Sequence, residues 1–191
     1  MIDTLETNRL LLRVGKEEIA EAVFEFYQNN RDYFDRYEPT RPGSFYTVDY
    51  HRTSLQYEYN EILRHRSLRY YLYRKEYPDE IIGSVNFNGI LGGPFQHATL
   101  EYKLDRRFWG HGYAFEACLT SITELFTNYP VRRIEAKIAP GNANSIRLIE
   151  RLGFTQEGLE RESVEVNGKW QSHLRYSLLK HEFTTQPMSQ S

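Results

Sequence analysis

The sequence predicts one α/β domain on a mixed, mostly antiparallel sheet with a central parallel pair, flanked by helices. Three observations carry this. Ala98, Leu100, Tyr102 and Leu104 alternate strictly with Thr99, Glu101 and Lys103, the period of a strand. Behind them Phe115, Cys118, Leu119, Ile122, Leu125 and Phe126 recur at helical spacing. A second strand pattern, Arg133-Ile-Glu-Ala-Lys-Ile138, follows that helix, and such a unit closes as a right-handed parallel pair.

In chain order, Arg9-Leu-Leu-Leu-Arg-Val14 reads as a first strand. Lys16-Glu-Glu then opens a helix carrying Ile19, Ala22, Val23 and Phe26 on one face. An aromatic stretch follows, with Tyr33, Phe34, Tyr37, Phe45, Tyr46 and Tyr50. Pro39 and Pro42 forbid a continuous helix there. Its rings either cap the core or wall a groove for an acceptor. A second helix places Leu55, Tyr59, Ile62 and Leu63 on one face. Leu68–Tyr73 and Ile81–Phe87 form a hairpin with its turn at Pro78-Asp79. A loop with Gly89, Gly92, Gly93 and Pro94 leads to the central strand. Past residue 138, Asn142 opens a short helix that Gly153 ends in the C′ position. Two last strands flank Asn167-Gly168, a type I′ hairpin signal. The domain is expected to span 1–183, with 184–191 a disordered tail.

The 191 residues suffice for one domain with a full core. The formal charge of −2 and the lack of any Lys/Arg run argue against direct nucleic-acid binding. A single cysteine, Cys118, excludes an internal disulfide and reads as a small core residue. No signal peptide and no apolar run near 18 residues is visible, so a soluble cytoplasmic protein, monomer or homodimer, without membrane contact is expected. His51, His65, His97, His173 and His181 are scattered without metal-ligand spacing, and no metal is expected.

Between the central strand and helix lies Arg107-Phe-Trp-Gly-His-Gly112. Such a turn presents unpaired N–H groups and a positive dipole end, which suit a phosphate; a plain tight turn would also satisfy the pattern. No Gly-Lys-Ser/Thr follows, and Phe115 stands where a dinucleotide fingerprint needs a small residue. The remaining pattern, Arg-x-x-Gly-x-Gly, resembles the pyrophosphate loop of the GNAT N-acetyltransferases. With Tyr37-Glu-Pro-Thr-Arg41, Asn86-Phe87 and the element order from Arg9 to about Leu179, the chain resembles the RimJ/RimL type, the ribosomal-protein alanine N-acetyltransferases.

That resemblance implies acetyl-CoA as co-substrate and a protein N-terminus as acceptor. A small amine (amino acid, polyamine or antibiotic) is the alternative acceptor, and a non-catalytic acyl-CoA-binding module the alternative of another class. The N–H groups of Trp109, Gly110, His111, Gly112, Tyr113 and Ala114 would meet the pyrophosphate, with the Arg107 and His111 side chains at its edge. Glycine would let the backbone approach, and each bond to a charged phosphate is worth roughly 1.5–3 kcal/mol. The family's parallel strands splay, so the backbone at Tyr102, Lys103 and Leu104 and at Ile138 to Pro140 would take the pantetheine amides. Asn142, Asn144 and Ser145 follow the family's Asn-x-x-Ser/Ala pattern, although Asn142 is also an ideal N-cap.

Many GNAT enzymes protonate the leaving thiolate with a tyrosine four residues before the Gly-Phe; here that residue is Ile149. The resemblance to RimL gives the role to Ser145 or a water it holds. Glu101 is the first candidate for the base. Glu162 is the second, because the RimL-like glutamate aligns nearer Val164 and 162 would share its face in a regular strand. Glu38 would meet an acceptor ammonium. Direct attack by the amine, without an acyl-enzyme, is expected.

Overall fold

In the computed structural model, which describes residues 3–183, the strands are β1 (Thr4–Glu6), β2 (Leu10–Val14), β3 (Leu68–Arg74), β4 (Tyr77–Leu91), β5 (His97–Leu104), β6 (Arg133–Ile138), β7 (Thr155–Val166) and β8 (Lys169–Leu179). The helices are α1 (Ala20–Asn29), α2 (Arg31–Phe34), α3 (Val48–Leu63), α4 (Tyr113–Asn128) and α5 (Ala143–Arg151). The expected tail, 184–191, lies outside the described residues.

The strands form one sheet in the order β1-β2-β3-β4-β5-β6-β8-β7, in which only β5 and β6 pair in parallel. Helices cover both faces. On one face Leu12, Tyr70, Leu72, Val85, Phe87 and Leu100 pack with Cys118 and Ile122 of α4 and Ile149 of α5. On the other, Tyr71, Tyr73 and Ile81 pack with Val23 and Phe26 of α1, Phe34 of α2 and Leu55 of α3. Burial on both faces explains why Tyr70–Tyr73 reads as an unbroken apolar and aromatic run.

Local chemistry sets several boundaries. Asn142 Oδ1 accepts from the Ser145 N–H at 3.2 Å and caps α5. At the other end the Gly153 N–H donates to Glu150 and the Phe154 N–H to Ile149, with Gly153 at φ +90°. That bond pair is a Schellman ending, which favours glycine. Asn167 and Gly168 take φ of 52° and 73°, as a type I′ turn requires.

Four expectations need correction. β1 is an added edge strand, three residues long and too short to show a period. The β3–β4 turn is Lys75-Glu76, because Arg74 pairs with Tyr77. Pro78-Asp79 instead sits where the register shifts between the Arg74–Tyr77 and Tyr73–Ile81 pairs; an irregular strand end tolerates a residue without an N–H. β4 also continues through Gly89 to Leu91 rather than ending in a loop. Finally, Leu63 is 53% exposed at the last position of α3, beyond the buried face set by His51, Leu55 and Ile62.

Candidate active site

The parallel pair parts midway. β5 and β6 pair only at His97–Arg133, Ala98–Ile134 and Thr99–Glu135. Further along, β5 stays bonded to β4 through the Gly83–Leu104 pair, and β6 stays bonded to β8 through the Ile138–Leu174 pair. The inner edges of 100–104 and 136–138 therefore face one another across an opening without a shared ladder. From β5, the Tyr102 hydroxyl donates to the main-chain carbonyl of Ser145 in the first turn of α5, at 3.3 Å. Burial raises the Tyr102 pKa well above that of an ordinary phenol.

Beside this opening, the loop after β5 is fixed from below. Asp105 accepts from the Arg107 N–H at 2.9 Å and is gripped by the Arg107 guanidinium at 2.7 Å. Burial opposes ionisation of Asp105, but these bonds outweigh it and hold its carboxyl below the usual range. The Trp109 indole donates to the Leu104 carbonyl at 3.0 Å, and its ring meets Tyr33 at 4.4 Å. Gly110 and Gly112 both take φ of +77°, the left-handed region that glycine enters without penalty. The first helical bond of α4 runs from Glu116 N–H to the Gly112 carbonyl. Among the described residues, no protein acceptor meets the N–H groups of Gly110 to Phe115.

A buried carboxylate holds that array in place. Glu116 accepts from the Thr7 hydroxyl at 2.5 Å and from the Arg9 main chain at 3.1 Å. It also pairs with the Arg9 guanidinium at 2.6 Å. Arg9 in turn donates to the His111 carbonyl at 2.9 Å and lies 4.5 Å above the Tyr113 ring. Arg9 and Glu116 escaped the sequence reading, although a glutamate beside the apolar stripe of α4 was a visible signal.

The opposite face of β5 looks onto the aromatic segment. Lys103 Nζ lies 3.2 Å from Glu38 Oε1, and Glu38 also pairs with Arg41. The guanidinium of Arg41 stands over the Tyr27 and Phe45 rings, at 4.8 and 4.4 Å. The tip of the β7–β8 hairpin closes on the same segment, Asn167 donating to Thr40 and to the Asp35 carbonyl, each at 2.9 Å. Beneath lies a cavity of about 230 Å³. Some rings, such as Phe34, do cap the core, while others surround this space.

A sequence profile described as the acetyltransferase (GNAT) domain matches residues 9–155. The chain belongs to the GNAT acetyltransferases. It is 32% identical to the probable N-acetyltransferase YjcK of Bacillus subtilis (strain 168), over 84% of this chain and 88% of that one. It is 29% identical to the [ribosomal protein uS5]-alanine N-acetyltransferase of Escherichia coli (strain K12), over 94% of this chain and 92% of that one. Among solved structures, Mycobacterium smegmatis RimJ in complex with CoA-disulfide superposes with a TM-score of 0.84 at 23% identity, covering 95% of this chain and 85% of that one.

As a GNAT enzyme the protein is an acetyl-CoA-dependent N-acetyltransferase, and its site fits that co-substrate. The positions a Cβ would take at Gly110 meet no protein atom within 4 Å, so the backbone there is open to a ligand. Four expected contacts sit differently. The Trp109 N–H, expected to meet the pyrophosphate, donates to the Arg106 carbonyl at 3.3 Å and closes the turn before the loop. The Arg107 guanidinium is engaged by Asp105 and by Glu80 at 3.0 Å, so it braces the loop. His111 Nδ1 lies 2.8 Å from the Trp109 carbonyl and its ring stacks on Tyr113. Asn144 is exposed and bonded to Arg147.

The base candidates are also separated. Glu101 is exposed on β5 opposite Asn86. Glu162 is exposed at φ +48° on β7, two strands beyond β6. A register shift between Glu160 and Val164 breaks the alternation that was to put 162 on the face of 164. Glu38, expected to meet an acceptor ammonium, already meets that of Lys103. Among the described residues no His/Cys/Asp/Glu group could hold a metal, and no helix is long and apolar enough to cross a membrane.

Proposed function

We propose that this enzyme acetylates the α-amine of a protein N-terminus, an alanine or serine of a ribosomal or other protein. The observation that carries this is the parted β5–β6 pair beside six unpartnered amides, with an aromatic-lined cleft on the far side of β5. Resemblance to the uS5-alanine enzyme supports the acceptor class.

Acetyl-CoA supplies an acetyl group activated as a thioester. The chain's residues divide the rest. The N–H groups of Gly110 to Ala114 bind phosphate oxygens, and the α4 dipole adds to their pull. The inner edges at Tyr102–Leu104 and Ile138–Pro140 hold an extended amide arm as an added strand would be held. Ser145 and the Tyr102 hydroxyl lie at the end of that opening, as donors to a departing thiolate. Glu101 serves as base or orients a water that does.

Magnitudes favour an α-amine. With pKa ~8 it is about ten per cent neutral at pH 7, and deprotonation costs about 1.4 kcal/mol. A lysine of pKa ~10.4 costs about 4.6 kcal/mol, more than one exposed glutamate readily supplies. The test is a peptide offering both a free α-amine and a lysine, incubated with acetyl-CoA and mapped by fragmentation mass spectrometry. Acetyl on the α-amine is the expected outcome; acetyl on lysine alone, or none, contradicts the proposal.

A further inference from the structure

The cavity under the aromatic segment has an unusual wall. Arg41, Arg69 and Lys103 contribute three cations, and Glu58 one carboxylate. Glu58 is held by Arg69 at 2.5 Å and by the Tyr71 hydroxyl at 3.3 Å. Glu38 is shared between Arg41 and Lys103. Asp35 approaches Arg41 only to 3.7 Å and is already bonded to Tyr46 at 2.8 Å. Glu58 and Glu38 thus answer the three cations at close range, and Asp35 reaches Arg41 Nη1 only at the outer edge of ion pairing; each cation is no more than 16% exposed.

A second observation points the same way. Arg41 Nη1, Arg69 Nε and His51 Nε2 are buried without a hydrogen-bond partner, and all three residues line this one cavity. An unsatisfied buried polar group costs about 1–3 kcal/mol, a cost that an entering acceptor would offset at the two arginines. His51 carries no balancing charge at neutral pH. Burial, then the fields of Arg41 and Arg69, push its pKa down to about 4.

Size limits the occupant. At about 230 Å³ the cavity is smaller than the roughly 300–1,000 Å³ of sites that enclose a whole drug-sized ligand. It suits one functional group of a larger molecule. Lys103 links it to the reaction: its main chain borders the parted strands and its ammonium lines the cavity.

We propose that this cavity is a carboxylate subsite, and that the preferred acceptor carries an acid group a few bonds from its amine. The proposal rests on the acetyl-transfer reading. The acid has two possible sources, an acidic side chain near a protein N-terminus or the α-carboxylate of a free amino acid.

Two matched pairs distinguish them, with kcat/KM corrected for the neutral fraction of each amine. One pair is C-terminally amidated peptides beginning Ala-Glu and Ala-Gln; the other is alanine and alaninamide. The acid of one pair should exceed its amide by tenfold or more, and that pair identifies the source. In Arg41→Gln and in Lys103→Gln the ratio should fall towards one; if both variants misfold, the wild-type ratio decides. Turnover with a ratio near one in both pairs overturns the subsite and leaves acetyl transfer standing. Absence of turnover with every amine overturns acetyl transfer instead. Calorimetry with glutarate and glutaramide then decides the cavity: tenfold tighter glutarate sustains the carboxylate site, and equal or undetectable binding removes it.

Discussion

The Tyr102 hydroxyl and the Ser145 carbonyl join β5 to α5 across the mouth of the parted strands, at 3.3 Å. That is long for an O–H···O bond, whose usual length is about 2.7–2.8 Å, so the donor can turn to a better acceptor. A thiolate leaving at this point would be one. Burial keeps the phenol protonated and able to donate. Tyr102→Phe should lower kcat ten- to a hundredfold while CoA affinity, read by calorimetry, stays within about twofold. An unchanged kcat would return the role to Ser145 or water.

The phosphate cradle is built from main chain, and two variants separate it from side-chain binding. Gly112 stands at φ +77°, where a β-branched residue is strained, and it opens α4. Gly112→Val should weaken CoA binding at least tenfold. His111→Ala removes a ring that contacts the Trp109 carbonyl and should cost less than threefold. Equal losses in calorimetric titration would give the phosphate to the histidine.

How far the sequence could be read depends on distance along the chain. The strand at 97–104, the helix at 113–128, the ending at Gly153 and the turn at Asn167-Gly168 are set by neighbours within a few residues. Their periods and turn chemistry were legible. What escaped depends on partners far away. Glu116 is explained by Thr7 and Arg9, more than a hundred residues earlier. Glu38 is explained by Lys103, on a different strand. Arg107 was rightly placed in the loop, but only its contacts with Asp105 and Glu80 show which way it turns. Glu162 misled because a bulge leaves no period in the sequence.

Direct attack leaves Cys118 without a chemical part. It is fully buried on α4, and burial raises its thiol well above the ordinary range, so it is not a ready nucleophile. Cys118→Ala should retain activity within about threefold while losing about 1 kcal/mol of stability from the small void. Enzyme quenched during turnover should carry no covalent acetyl by intact-mass spectrometry. A folded, CoA-binding but inactive variant would contradict direct transfer.

His51 gives stability a pH signature. Its folded pKa of about 4 lies below the ordinary 6.5, so the unfolded chain binds the extra proton first. The contribution is complete above about pH 6.5 and is lost as pH falls towards 4. The loss is on the order of 2–3 kcal/mol. His51→Gln should flatten this part of the stability curve relative to wild type, read by urea melts at pH 7, 5.5 and 4.5. Parallel curves would mean that the imidazole does not titrate as described.

Delivery of acetyl to a protein N-terminus is tested most directly by the kcat/KM ratio of a short peptide to its own first residue as a free amino acid. Thiol release from acetyl-CoA provides the readout, with peptides beginning in alanine and in serine. Contacts with the cavity under the aromatic segment should favour the peptide by tenfold or more, about 1.4 kcal/mol. Free amino acids or other small amines turning over as well as any peptide would contradict the account.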